Sequence, residues 1–260
     1  MVESAFPALP AGLPSGRLIA PEEGPEGVMA LWVSDEPRAG LGGLWCRLYD
    51  ERADTGLYPL LLDTLGGQPT RPWHDGELFV DESVADIDAL DAEVLLRGDR
   101  RGGESGGESG GEPGVEDRPV PWPGLASPGE GVEDADECAR VSAELGAEDA
   151  EFLLGLVPAA RGADTLTVMG WSGPVNHCRT AEISAVVRSW EERFGARVVM
   201  VGFDVLGLSV AAPPRTMEHA RAVAVEHEAF CPDNIWQGVG DMEEYAAGLV
   251  GRASWSFWWD

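Results

Sequence analysis

Thr165-Leu166-Thr167-Val168-Met169-Gly170-Trp171 is the stretch on which the fold turns. Its β-branched residues, closed by Gly-Trp, read as a strand. Downstream, Ile183, Val186, Val187, Trp190 and Phe194 follow the spacing of one helix face, with Thr180 as N-cap. Residues 197–203 form a nearly continuous apolar strand of the kind found at the centre of a sheet. Residues 207–212 alternate and pair with it through a turn at Asp204. Residues 216–230 read as a helix. Asp241 with Glu244 makes a capping box for a last helix that Gly251 ends, and 254–259 is a final strand. This order, strand-helix-strand then strand-helix-(helix)-strand, is the split βαβ pattern of a ferredoxin-like sandwich. The expected fold is therefore α+β and two-lobed, with a ferredoxin-like C-terminal lobe over 164–260.

Working outward, 129–163 reads as an acidic helical connector: 129–151 holds nine acids against one Arg, and a second short helix is expected near 148–156. Residues 97–128 read as a disordered linker, because 98–114 repeats Gly-Glu-Ser-Gly without an apolar residue to offset ordering entropy. Residues 17–96 read as a smaller α/β lobe: a strand at 28–33, a helix at 41–52, a strand at 57–62 and another at 77–80. A helix follows, carrying Ile87, Leu90 and Val94 behind Ser83. Pro59 suggests that the 57–62 strand is an edge or a bulge. Residues 1–16 are Pro/Gly-rich and expected loose. In each half a Trp, at 45 and at 190, precedes a strand ending Asp-x-Leu-Gly or Asp-Thr-Leu-Gly. Either the halves are duplicated sandwiches or a Gly- and Leu-rich chain repeats itself by chance.

Composition constrains partners more than it names them. The 260 residues carry a formal charge of −28, and every one of the 18 basic residues is Arg. So acidic a surface repels phosphate backbones and anionic lipid, so neither nucleic acid nor membrane is an expected partner. Without Lys there is no Schiff-base chemistry, no P-loop lysine and no Ser-Lys dyad. No signal peptide and no membrane-length apolar run are evident, and Cys46, Cys138, Cys178 and Cys231 form no CxxC pair. Reduced thiols and a cytoplasmic location are expected. No cofactor is expected, since no dinucleotide, P-loop, HExxH or EF-hand motif occurs.

Several uncommon strings occur in order: Gly155-Leu156-Val157-Pro158-Ala159-Ala160-Arg161-Gly162-Ala163-Asp164, then Gly170-Trp171-Ser172-Gly173-Pro174-Val175-Asn176-His177. Phe203-Asp204 and Ser209-Val210-Ala211-Ala212-Pro213-Pro214 follow, then Cys231-Pro232-Asp233-Asn234-Ile235-Trp236-Gln237-Gly238 and the Trp-rich end. Together they resemble a bacterial family known only as domain of unknown function 4253. Leu31-Trp32-Val33-Ser34-Asp35-Glu36-Pro37 and Pro59-Leu60-Leu61-Leu62-Asp63 look like that family's longer members. The resemblance implies no reaction or ligand.

Four constellations are weighed for chemistry. Gly103-Glu104-Ser105-Gly106-Gly107 matches the nucleophile-elbow pattern, but the elbow needs a buried strand before it and a helix after it; a low-complexity repeat explains it better. His227 and Cys231, four apart on a helix, could join His177 or Cys178 around zinc, but they continue the apolar stripe of Ala220, Val223 and Ala224, so no metal is expected. Ser172 and His177 could act as nucleophile and base, with Asp204 or Asp233 as orienter, and His177 and Asp233 are the candidate catalytic residues. Finally, the 170–177 and 231–237 turns are expected to meet. Trp171 and Trp236 would form the walls of a ligand pocket, with polar contacts from Asn176, His177, Asp233, Asn234 and Gln237. The leading expectation is a non-enzymatic binding or interaction module taking a protein or small molecule, antitoxin- or immunity-like roles against a basic partner included. The alternative is an enzyme built around those two turns.

Overall fold

The computed structural model describes residues 6–98, 122–131 and 134–260. Its strands join in one mixed seven-stranded sheet of order β1-β2-β4-β3-β5-β6-β7. They are β1 (Gly16–Ile19), β2 (Leu31–Ser34), β3 (Tyr58–Leu62), β4 (Leu153–Val157), β5 (Ala196–Val201), β6 (Val205–Val210) and β7 (Ser254–Trp258). The only parallel neighbours in that order are β3 and β5. The helices are α1 (Gly42–Thr55), α2 (Val84–Asp88), α3 (Ala92–Leu96), α4 (Ala135–Gly146), α5 (Gly162–Met169), α6 (Thr180–Phe194), α7 (Met217–Phe230) and α8 (Met242–Leu249). A π-helical turn (Asn234–Val239) precedes α8. The mixed α+β class is as expected.

The ferredoxin-like arrangement is not what forms. That fold needs its last strand beside its first, whereas β7 pairs with β6, and β3 from the N-terminal half lies between β4 and β5. The two expected lobes share one sheet for the same reason. The underlying error is local. The 165–171 stretch is not a strand: 165–169 belongs to α5, whose end is set by Gly170 at φ 69°, and Trp171 makes an isolated bridge. A Cβ at Gly170 would also run into the backbone of Phe79. Thr165 and Thr167 tolerate the helix because their hydroxyls bond Gly162 O (2.6 Å) and Ser184 Oγ (2.8 Å). The strand is instead 153–157, Leu-Leu-Gly-Leu-Val, an apolar run buried throughout and stopped by Pro158, where a helix was expected.

β3 is the centre, not an edge. All five of its residues are buried. It pairs with β4 from Tyr58 to Leu62, but with β5 only at Leu61 and Leu62, so Pro59 falls before the second ladder begins. Residues 77–80 contribute isolated bridges, Leu78 to Trp171 and Phe79 to Glu23, in place of a strand, so among the described residues the N-terminal half has no counterpart to the β5–β6 hairpin that a duplication would supply. The helix expected after Ser83 is two helices, because Asp91 accepts the amides of Glu93 and Val94 and starts a new turn.

The two sheet faces differ in kind. Leu206, Leu208, Trp255 and Phe257 share the face that α6 and α7 cover; there Trp190 stacks on Phe257 (5.3 Å between centroids) and meets Phe230 edge-on (4.7 Å). Gly207 and Ser209 lie on the opposite face, under α4, which buries Ala139 and Ala143; small residues on both sides allow close approach. Between α6 and α7, Glu226 is wholly buried. It accepts Trp190 Nε1 (2.7 Å), Arg193 through both oxygens (2.8 and 2.7 Å) and the amide of Ala126 (2.6 Å). That last bond holds residues 122–128, expected to be linker, against the core, where Trp122 and Leu125 also pack. The repeat at 103–111, with its elbow-like pattern, lies outside the described residues. At the N-terminus, Phe6 and Leu13 pack on the core and Ala11 O accepts Arg47 (3.1 Å), so residues 6–16 are not loose. No helix among the described residues is long and apolar enough to cross a membrane.

A fragment beginning at Leu153 would have nothing between β4 and β5. Burying Leu60, Leu61 and Leu62 contributes about 1.5–3 kcal/mol each, against about 5–15 kcal/mol for a whole domain. The fragment is expected to unfold without cooperativity in urea and to regain a cooperative transition when co-expressed with residues 6–98. A sigmoidal transition from the fragment alone overturns this.

Candidate functional site

The two turns do meet, but not as one pocket. The 170–180 segment leaves α5 through Gly170. It is pinned by Trp171 Nε1 donating to Gly202 O (2.9 Å) and by Thr180 Oγ1 donating to Trp171 O (2.8 Å). The Trp171 ring lies edge-on to Trp259 at 5.6 Å, fully buried. His177 carries the link to the second turn. Its Nε2 is 3.2 Å from the main-chain oxygen of Asp260 and 3.7 Å from the Asp233 carboxylate.

Trp171, Asn176 and His177 line a cleft of about 600 Å³ together with Phe79, Glu82 and Arg179. The other four expected site residues do not line it. Asp233 accepts Gln237 Nε2 (2.9 Å) on one oxygen and the amide of Asp260 (3.1 Å) on the other. Trp236, expected as a wall, points outward, 55% exposed, and donates to Glu228 (3.0 Å).

Asn234 has a role that the sequence did not reveal. Its Oδ1 accepts the amide of Trp258 (3.1 Å) and its Nδ2 donates to Ser256 O (2.6 Å). Those two groups are successive ladder positions on β7, whose outer side has no neighbouring strand among the described residues. The side-chain amide therefore stands where a further strand would hydrogen-bond. Cys231 completes the fastening, Sγ to Trp258 O at 2.9 Å. Burial pushes its thiol up to about 12, the opposite of what a reactive thiolate requires. The only signal in the sequence was that Asn is so rare here, at 176 and 234 alone.

His227 and Cys231 serve different neighbours. The ring of His227 sits among Trp190, Trp255, Phe257 and Tyr245 at 4.6–5.9 Å, with Nδ1 3.0 Å from Tyr245 Oη. Its Nε2 is buried without a hydrogen-bond partner among the described residues. Burial, reinforced by the Arg193 charge, lowers its pKa to about 3. No cluster of three or more His, Cys, Asp or Glu able to hold a metal occurs among the described residues. The proposed nucleophile Ser172 donates to Glu77 O (3.3 Å), and Asp204 receives the amide of Trp259 on its main-chain oxygen (3.1 Å).

The apolar residues of α4 divide between core and surface. Ala139 and Ala143 are buried, but Val141 and Leu145 are 45% and 69% exposed. They floor a groove of about 760 Å³ between α4 and the start of β7, with Ala253 and Ser254 opposite and Asp134 and Glu137 at one end.

Residues 153–260 match the model of a family described as Domain of unknown function (DUF4253), so the resemblance read from the strings holds from the first residue of β4 onward. No curated protein and no solved structure matches the chain.

Two outcomes follow from this geometry. Asn234→Ala leaves two β7 groups unpaired and is expected to lower stability by about 2–3 kcal/mol, with faster amide exchange at 258; unchanged exchange there overturns the edge role. His227 is neutral when folded, whereas the unfolded chain binds a proton below about pH 6.5. Its contribution is therefore complete above that pH and lost as pH falls toward 3, at up to about 1.4 kcal/mol per unit. Urea midpoints at successive pH values should fall less steeply in His227→Gln; identical slopes contradict the assignment.

Proposed function

We propose that this domain of unknown function, with the strands that complete its sheet, is a non-enzymatic interaction module that docks a basic partner segment in the groove between α4 and β7. The carrying observation is an exposed apolar floor, Val141 and Leu145, on a helix whose other face is already buried, in a chain of charge −28. The occupant is a cationic protein segment with an apolar face. Its apolar side covers Leu145, and its charges meet Asp134, Glu137 and the long-range field of the whole molecule. This is the chemistry by which an acidic antitoxin or immunity protein would hold a basic target. A cytoplasmic setting fits four free thiols.

The enzymatic alternative has one observation in its favour, the His177–Asp233 approach beside the 600 Å³ cleft. The hydrogen bonds of Asp233, Asn234 and Cys231 argue for the structural role, since each fastens the terminal strand or the residues that follow it. The cleft remains a place for a small molecule, with Trp171, Asn176 and His177 as its contacts.

Display libraries of amphipathic helical peptides, one set basic and one acidic on the polar face, separate the readings. Basic peptides are expected to be enriched and to weaken with added salt. Leu145→Asp should reduce affinity about tenfold or more, since a covered Leu is worth about 1.5–3 kcal/mol. Equal enrichment of acidic peptides, or affinity indifferent to Leu145→Asp in a variant with unaltered thermal unfolding, overturns the proposal.

A further inference from the structure

The turn between β4 and α5 carries the Ala159-Ala160-Arg161-Gly162 part of the resemblance strings, which the docking groove does not use. It opens on a notch of about 290 Å³. Five elements meet there: the last turns of α1 (Tyr49, Arg52), the start of β3 (Tyr58), the turn itself, α6 (Glu191) and the start of β5 (Arg197). Gly162 permits the closure, because a Cβ there would lie 2.6 Å from the Tyr58 hydroxyl.

Three of the chain's 18 cationic side chains line this one notch, in a protein with 46 acids. Three carboxylates, those of Asp136, Glu191 and Glu192, face them, so the charges balance while some guanidinium N–H groups stay unused. Arg52 and Arg197 share a single carboxylate, that of Asp136, at 2.5 and 3.1 Å, and the Tyr49 hydroxyl donates to it as well (2.9 Å). Two guanidiniums face one carboxylate there, whereas Arg161 faces two, so what the notch offers an anion is N–H donors and not surplus charge. Arg161 spends Nε on Glu191 (2.8 Å), whose other oxygen caps the amide of Ala163 (2.9 Å); both Glu191 oxygens are thereby engaged. Its Nη2 reaches the largely exposed Glu192 at 3.3 Å. Arg161 Nη1 and Arg197 Nη2 have no hydrogen-bond partner among the described residues. Guanidinium N–H groups of this kind bind oxyanions with charge-assisted bonds. The positive end of α5 adds to the same field.

We infer that this notch binds a small molecule through an oxyanion group, carboxylate or phosphate, received by Arg161 and Arg197 with Arg52 behind them. The volume lies at the low end for ligand sites and limits the occupant to a few heavy atoms around the anion. The site is separate from the α4–β7 groove and stands whether or not a basic partner docks there.

The test is a titration of the ¹⁵N-labelled full chain with inorganic phosphate and, separately, with malonate, each against sodium chloride of equal ionic strength. Saturable shifts are expected at the amides of Gly162 and Ala163 and at Nε of Arg161 and Arg197, with a dissociation constant of about 1 mM; the anion that saturates first identifies the oxyanion type. Arg197→Gln and Arg161→Gln should each weaken binding about tenfold, the loss of one charge-assisted contact. Shifts that rise linearly, that chloride reproduces, or that centre on other residues overturn the inference, as does unchanged affinity in both variants. The wild-type titration decides alone if a variant fails to fold.

Discussion

A strand drawn from early in the chain, β3, occupies the gap between two strands that come much later, β4 and β5. Everything else is arranged around that insertion. β4 hydrogen-bonds β3 along its whole length, while β5 takes β3's other side, so the sheet is continuous only through it. α1, which delivers the chain into β3, packs beside α4 on one face; α5 and α6 pack together between β4 and β5 in sequence. The stretch that matches the family model starts at β4 and so contains both sides of the gap but not the strand that fills it. The hydrophobic run Tyr58-Pro59-Leu60-Leu61-Leu62 is thus less an accessory than the keel of the matched domain.

Buried polar side chains then set where elements stop and start. Glu226 ties α7 to α6 and to the segment around Ala126. Asp164, almost wholly buried in the first turn of α5, meets Arg188 of α6 at 2.6 Å. Each such charge is paired and hydrogen-bonded, as burial demands. The same need for partners shows in the second turn, where Asn234 and Asp233 hydrogen-bond main-chain groups of β7 and of Asp260.

Much of the C-terminal half was legible from periodicity. The stripe from Ile183 to Phe194 gave α6, the apolar run read at 197–203 and its alternating neighbour at 207–212 gave β5 and β6 to within two residues, and Asp241 gave the start of α8. The exchange of helix and strand around 153–171 has a physical origin. α5 is buried on nearly every side, so it shows no polar face, and its Thr residues mimic a strand until Ser184 supplies a partner. The insertion of β3 leaves no trace in local pattern at all, because it is a contact between residues about a hundred positions apart. At the site, the meeting of His177 with Asp233 was foreseeable from two turns rich in the same residue types. The outward turn of Trp236 was not, nor was the exposure of Leu145, since spacing identifies a helix face without saying whether anything covers it.

The amide of Asn234 on β7 bears on how the molecule behaves in a crowd. Near its isoelectric point of about 4.3 the mutual repulsion of so acidic a chain vanishes. Bare sheet margins then become templates for stacking copy upon copy into fibrils. At the Trp-rich margin, a single carboxamide already answers the backbone that such growth would have to recruit. Colloidal restraint at that end of the sheet is therefore built from hydrogen bonding and persists when charge is titrated away.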